Sequence, residues 1–72
     1  MGTDGTFSIR VNGEHRRVEG GISVADLARE MGLDPARVAV ERNGEIAPRS
    51  TLAEVQVADG DDFEIVHFVG GG

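Results

Sequence analysis

The residues best suited to chemistry in this sequence are its three final glycines, Gly70, Gly71 and Gly72. Because glycine has no side chain, we expect a thin, flexible tail that extends about 10 Å from the folded body. Such a tail can enter a narrow active site of another protein and present the Gly72 carboxylate there. A carboxylate reacts with nucleophiles at neutral pH only after its oxygen becomes a leaving group, and adenylation by ATP achieves this. The apolar segment directly before the tail favours a function over simple fraying.

Two other polar patterns are weaker candidates for a site. The acidic run Asp59-Gly60-Asp61-Asp62 has the charge of a calcium loop, but its alternating oxygen ligands fail at Phe63, so an ordinary turn is favoured. His15 and His67 lie on different predicted strands without accompanying cysteines. The sequence therefore predicts no metal site.

Catalysis by the chain itself has little support. The sequence contains no cysteine, which excludes a disulfide, a thiolate metal site and a thiol that carries sulfur. The serines Ser8, Ser23 and Ser50 show no setting that activates a nucleophile. A single domain of 72 residues also has little room for a cleft of the usual catalytic volume. We expect a protein that is not an enzyme.

The net charge argues against a nucleic-acid partner, and the distribution of apolar residues argues against a membrane. A formal net charge of −6 leaves no excess of cations to displace the counterions of a nucleic acid. No apolar run approaches the roughly 18 residues of a membrane span, and the N-terminus lacks the pattern of a signal peptide. We expect a cytoplasmic protein that binds neither nucleic acid nor a membrane.

The first half of the chain predicts a hairpin followed by a helix. Alternation of Phe7, Ile9 and Val11 with polar residues predicts a half-buried strand, and Asn12-Gly13 favours a tight turn into a second strand over residues 15–19. Ser23 and Asp26 then resemble a capping box that begins a helix. The spacing i, i+3, i+4, i+7 predicts its buried stripe: Val24, Leu27, Ala28 and Met31. Gly32 should stop this helix in a Schellman-like turn closed by Leu33.

The second half predicts further strands. Residues 38–42 form a β-branched run, and Asn43-Gly44 repeats the hairpin signal before a short return strand that Pro48 confines to a sheet edge. Residues 50–55 could form a single helical turn. Residues 63–69 complete the predicted elements as a last strand.

This order of elements predicts an α+β fold. We expect one domain over residues 6–69, a flexible leader over 1–5 and the glycine tail over 70–72. A hairpin, a crossing helix and further strands favour a mixed sheet of four to five strands with one main helix on one face. The ubiquitin-like β-grasp arrangement is its simplest form, and it places the last strand beside the first in the middle of the sheet.

The C-terminal segment, residues 64–72 with the preceding Asp59-Gly60-Asp61, resembles the end of the ThiS family. This family comprises the sulfur carriers of thiazole formation in bacterial thiamine biosynthesis. Residues 40–46 and Val11-Asn12-Gly13 are similar to the middle and first hairpins of the family. The resemblance covers nearly the whole chain from Phe7 onward.

The resemblance implies a cycle in which Gly72 is adenylated by a ThiF-type adenylyltransferase that uses ATP and Mg²⁺. A cysteine desulfurase relay then supplies sulfur, and the resulting thiocarboxylate donates it to thiazole synthase. The carrier itself would hold no cofactor and catalyse nothing. Gly71 and Gly72 match the terminal pair of the family, and Gly70 matches a position where small residues recur.

The last strand also predicts a partner-binding surface. Alternation places Phe63 and Ile65 on one face and Val66 and Phe68 on the other. If the helix covers the first face, Val66 and Phe68 stay exposed beside the tail, where apolar residues commonly mark an interface. His67 lies close enough to the tail to contact a partner. The alternative is that Phe68 folds over the sheet edge.

Three other functions fit parts of the pattern. The small subunit of molybdopterin synthase resembles this chain in fold, terminal diglycine and thiocarboxylate chemistry, although the His67-Phe68-Val69 ending favours the thiazole branch. A ubiquitin-like modifier would instead form isopeptide bonds to lysines of target proteins. A plain β-grasp interaction module would have an inert tail.

Overall fold

The computed structural model describes residues 5–69, which form a five-stranded mixed sheet with a helix packed on one face. The elements in chain order are β1 (Thr6–Val11), β2 (Glu14–Glu19), α1 (Val24–Glu30), β3 (Val38–Arg42), β4 (Glu45–Ala47) and β5 (Asp62–His67). The spatial order of the strands is β2-β1-β5-β3-β4, with β5 parallel to β1 and antiparallel to β3. The predicted mixed sheet, with its last strand beside its first, is confirmed. The predicted tail over 70–72 and the first four residues of the predicted leader lie outside the described residues.

Both predicted hairpins are confirmed. Asn12 and Gly13 have φ angles of 53° and 83°, and Asn43 and Gly44 have φ angles of 53° and 86°. Two consecutive positive φ angles are typical of a type I′ turn, whose twist matches that of the strands it joins. The first turn joins β1 to β2, and the second joins β3 to β4.

The helix begins and ends as its sequence predicts. The Ser23 hydroxyl accepts a hydrogen bond from the Asp26 amide, and the Asp26 carboxylate accepts one from the Ser23 amide. At the other end, the Leu33 amide donates to the Ala28 carbonyl across Gly32, whose φ is +81°. These are the bonds of a capping box and of a Schellman motif.

The hydrophobic core lies between α1 and the face of the sheet that carries Phe63 and Ile65, which we call the covered face; the opposite side is the open face. Ala25 joins the predicted helix stripe in the core, because its amide donates to the Leu52 carbonyl and the segment after β4 packs along the start of α1. The buried core side chains are Ile9, Val11, Val18, Val24, Ala25, Leu27, Ala28, Val38, Val40, Leu52, Val57, Phe63 and Ile65. Met31, predicted as the last buried position of the helix stripe, is only partly buried and packs against the edge of this core.

Three elements differ in their bounds from the sequence prediction. The second strand was expected over 15–19 and begins one residue earlier, at Glu14. The last strand was expected over 63–69 but spans Asp62–His67, because Val38 at the start of β3 pairs with His67 and leaves no further strand residue to pair. The helical turn expected over 50–55 is a 3₁₀ turn at Arg49–Thr51. Within residues 5–69, no helix has the length and apolar character needed to cross a membrane.

Candidate docking face and chain end

The two faces of β5 differ sharply in exposure, as alternation predicts. On the covered face, Phe63 and Ile65 are 0% and 4% exposed. On the open face, Val66 is 59% exposed, and Phe68, just beyond the strand, is 49% exposed. Val69, the last described residue before the glycines, is 92% exposed. Val66 and Phe68 therefore present apolar surface on the open face, and Val69 exposes a further apolar side chain just before the glycines.

These apolar side chains line a shallow groove of about 330 Å³ on the open face. Its apolar walls are Ala39, Ile46, Pro48, Val66 and Phe68, with Glu41 and Glu64 at one end and Arg49 at the other. We call this surface the groove. Its apolar walls and its open shape suit contact with another protein better than enclosure of a small substrate.

The Phe68 ring lies at the tail end of the groove. The Arg49 guanidinium carbon is 6.0 Å from the centroid of the ring, within the range of a cation–π contact. Arg49 also donates a hydrogen bond of 3.0 Å to the Ala36 carbonyl. The Phe68 amide donates a hydrogen bond of 2.8 Å to the carbonyl of Arg37, the residue before β3. The backbone one residue beyond β5 is therefore still bonded to the folded body.

His67 is a half-buried residue on the covered side of β5. Its Nε2 atom is buried and has no hydrogen-bond partner among residues 5–69. Its ring therefore points away from the groove that Val66 and Phe68 line. Contact between His67 and a partner stays a prediction from its position near the tail.

Asn12 holds the C-terminal half of β5 in place. Its amide donates to the Phe63 carbonyl at 2.8 Å. Its side chain accepts from the Ile65 amide at 2.8 Å and donates to the Ile65 carbonyl at 3.1 Å. Since β1 ends at Val11, the Asn12 side chain takes the place of a strand backbone and extends the ladder toward the tail.

The acidic run of residues 59–62 forms the turn that leads into β5. Asp61 is 5% exposed, and its carboxylate accepts hydrogen bonds from the Ala58 amide at 2.8 Å, Arg42 Nε at 3.0 Å and Asn43 Nδ2 at 3.1 Å. This carboxylate therefore joins the turn to the hairpin of β3 and β4. In the part of the chain that the structure describes, no group of three or more histidine, cysteine or acidic side chains could hold a metal ion.

One contact differs from the expectation that Ser8 has no partner suited to activating it. Ser8 Oγ lies 2.6 Å from His15 Nε2 across β1 and β2. The nearby Asp59 carboxylate accepts from the Ser8 amide at 2.7 Å, and no hydrogen bond joins His15 to a carboxylate among the described residues. The pair is exposed and lacks the orienting carboxylate of a catalytic triad. Ser23 is the helix cap described above.

The sequence predicts Val66 and Phe68 on the open face but not the residues on the other side of the groove. The register of the second hairpin places Ile46 beside Glu41, and the pairing of β3 with β5 places Glu41 beside Glu64. The first of these pairings was available from the sequence, because a two-residue Asn-Gly turn fixes the register. The second depends on which strands lie next to each other.

The strand order, the helix on the covered face and the exposed end of β5 define a ubiquitin-like β-grasp protein. The crystal structure of the thiamine biosynthesis protein ThiS from Geobacter metallireducens matches with a TM-score of 0.75 and 32% identity, covering 92% of this chain and 100% of that one. A family model described as ThiS family matches residues 9–72. The chain belongs to the ThiS family.

Two relatives of named function are similar to most of this chain. The sulfur carrier protein ThiS of Bacillus subtilis is 46% identical over 50 residues, which cover 69% of this chain and 76% of that protein. A thiazole synthase of Paramagnetospirillum magneticum is 52% identical over 62 residues, which cover 86% of this chain but 19% of that protein. This chain thus spans about a fifth of the thiazole synthases that it matches.

Proposed function

We propose that this protein is a sulfur carrier of thiamine biosynthesis that bears sulfur as a thiocarboxylate on Gly72. The observation that carries the proposal is the extent of the family match. The ThiS family model matches residues 9–72 and so includes all three terminal glycines as well as the folded body. The Bacillus relative, a sulfur carrier by name, supports the same reading.

The proposed activation begins at the Gly72 carboxylate. A ThiF-type adenylyltransferase binds ATP and Mg²⁺, the carboxylate oxygen attacks the α-phosphorus, and pyrophosphate leaves. The terminal sulfur of a persulfide, formed by a cysteine desulfurase relay, then attacks the acyl carbon and displaces AMP to give an acyl disulfide. A thiol reduces this disulfide, so that the thiocarboxylate is released and the thiol sulfur joins the relay cysteine in a new disulfide. The product is a thiocarboxylate. Because the chain has no cysteine, its own side chains offer no competing thiol.

The folded body positions the chain end for this chemistry. Asn12 fixes β5 through Ile65, and the groove lies on the face of β5 that leads to Val69. A partner that covers the groove would thereby receive Gly70 and Gly71 in its active site. Val66 and Phe68 are the proposed contacts in the groove, and His67 is a third contact on the opposite side of the strand.

Thiazole synthase is the proposed acceptor of the sulfur. Two thiazole synthases contain a segment that is 52% or 41% identical to most of this chain. A carrier-like segment within a synthase chain favours the thiazole branch over molybdopterin synthesis. The carrier supplies the sulfur, and the synthase supplies the catalytic residues.

The experiment that tests this proposal is mass spectrometry of the C-terminal peptide. The intact chain is incubated with ATP, Mg²⁺, the ThiF-type enzyme, cysteine, the desulfurase and a thiol reductant. We expect the peptide to gain the mass difference of one oxygen replaced by sulfur. A matched chain without Gly72 should gain nothing. Accumulation of conjugates to lysines of other proteins would support a modifier instead, and an unchanged peptide would contradict the proposal.

A further inference from the structure

Two glutamates face each other at the end of the groove that lies away from the tail. Glu41 of β3 pairs with Glu64 of β5 in the antiparallel register, and both side chains are exposed on the open face. Directly opposite side chains have Cβ atoms about 5 Å apart. Among residues 5–69, the ion pairs join arginines to Asp26, Asp34 and Asp61, and none includes either glutamate.

The acidic pair does not stabilise the isolated chain, and two apolar side chains of the groove remain mostly in water. Like charges directly opposite each other on a sheet are destabilising. Ile46, in the same row as the two glutamates, is 78% exposed, and Val66 is 59% exposed. An apolar surface with two unpaired carboxylates at its border is complementary to a protein surface that carries an apolar side chain beside a cation.

We propose that thiazole synthase docks in the groove and places an arginine or lysine between Glu41 and Glu64, while its apolar side chains contact Ile46 and Val66. This inference rests on the proposed function and adds the chemistry of the interface. Thiazole synthase is the chosen occupant because two proteins of that name contain a segment similar to this chain.

The acidic pair also fixes the orientation of the carrier on its partner. Glu64 and Phe68 are four residues apart along an extended chain, so the acidic end and the tail end of the groove are separated by about 13 Å. A cation fixed at the acidic end therefore allows β5 to point toward the partner's active site in one direction only. This arrangement provides orientation that apolar contact alone does not supply, since apolar contact is not directional.

The test compares the affinity for thiazole synthase with the thermal stability of the free carrier. Glu64→Gln and Glu41→Gln each remove one charge and keep the side-chain size. We expect the Kd for the synthase of the same organism to rise about tenfold, with a weaker dependence on salt. We expect the Tm of the free protein to rise by about 1 to 3 °C, because the repulsion is gone.

Opposite changes in affinity and stability distinguish a docking pair from damage to the fold. The matched control is Glu54→Gln, which removes a charge from an exposed turn outside the groove and should change neither quantity. Glu64→Arg should raise the Tm and abolish binding, because the new arginine pairs with Glu41 and repels the partner's cation.

Three outcomes would overturn the inference. The first is wild-type affinity in both glutamine variants. The second is a loss of affinity in the Glu54→Gln control that equals the loss in the two variants. The third is weakened binding to the adenylating enzyme alone, which would make that enzyme the occupant. Failure of the proposed function is separate, because it appears as a wild-type chain that acquires no sulfur on Gly72.

Discussion

Ile65 and Val66 are neighbours in β5, yet one is 4% exposed and the other 59% exposed. Ile65 packs in the core beneath α1, whereas Val66 lines a groove on the open face. Similar side chains on one strand therefore have different tasks, since the first removes apolar surface from water and the second keeps apolar surface available. Substitutions on the covered face should change stability, and those on the open face should change binding.

The largest effect should come from the covered face. Phe63 is fully buried, and Phe63→Ala should lower the free energy of unfolding by about 3 to 5 kcal/mol through lost transfer energy and an unfilled cavity. Urea denaturation should show a lower midpoint with an unchanged slope. A loss below about 1 kcal/mol would indicate that the core does not depend on this ring.

The turn before β5 should be the next most sensitive point. Asp61→Ala removes the acceptor for the Ala58 amide and the ion-pair partner of Arg42, and we expect a loss of about 2 to 3 kcal/mol in urea denaturation. Asp62→Ala is the control, because Asp62 is exposed and should cost about 0.5 kcal/mol or less. Equal losses in the two variants would mean that the Asp61 contacts contribute little.

A smaller effect on stability should follow from substitution of Asn12, whose side chain bonds to the backbone of β5. Asn12→Gly keeps the positive φ of the turn and removes two hydrogen bonds to Ile65, so we expect a loss of about 1 kcal/mol. Hydrogen exchange at the Ile65 amide should accelerate. Asn12→Asp restores the acceptor and should slow this exchange again. Unchanged exchange in Asn12→Gly would contradict a positioning role for Asn12.

The open face should give the smallest effect on stability and a clear effect on binding. Val66→Ala should change the free energy of unfolding by about 0.5 kcal/mol or less, because the side chain is mostly in water. Affinity for thiazole synthase, measured by calorimetry, should fall severalfold as apolar contact is lost. Wild-type affinity in Val66→Ala and also in Phe68→Ala would contradict binding of thiazole synthase in the groove.

The covered face could be predicted from the sequence because its signals are local. Alternation in β1 and β5 gave the buried sides of both strands, and two Asn-Gly turns gave the hairpins. The pairing of Ser23 with Asp26 gave the start of the helix. In each case the residues that carry the signal lie within a few positions of one another.

The features that escaped prediction depend on contacts between distant segments. Asp61 looked like a residue of an ordinary turn, and its burial follows from Arg42 and Asn43, which lie in another hairpin. The groove needed the pairing of β3 with β5, which brings Glu41 beside Glu64. Neither contact has a periodic pattern in the sequence that would indicate it.

Transfer of sulfur from Gly72 into product is measured by following an isotopic label. The carrier is loaded with isotopically labelled sulfur on Gly72, freed of ATP and sulfur donor, and mixed with thiazole synthase and its small-molecule substrates. We expect labelled thiazole and a C-terminal peptide that returns to its carboxylate mass. Unlabelled thiazole, or label that stays on Gly72 while product forms, would contradict this transfer.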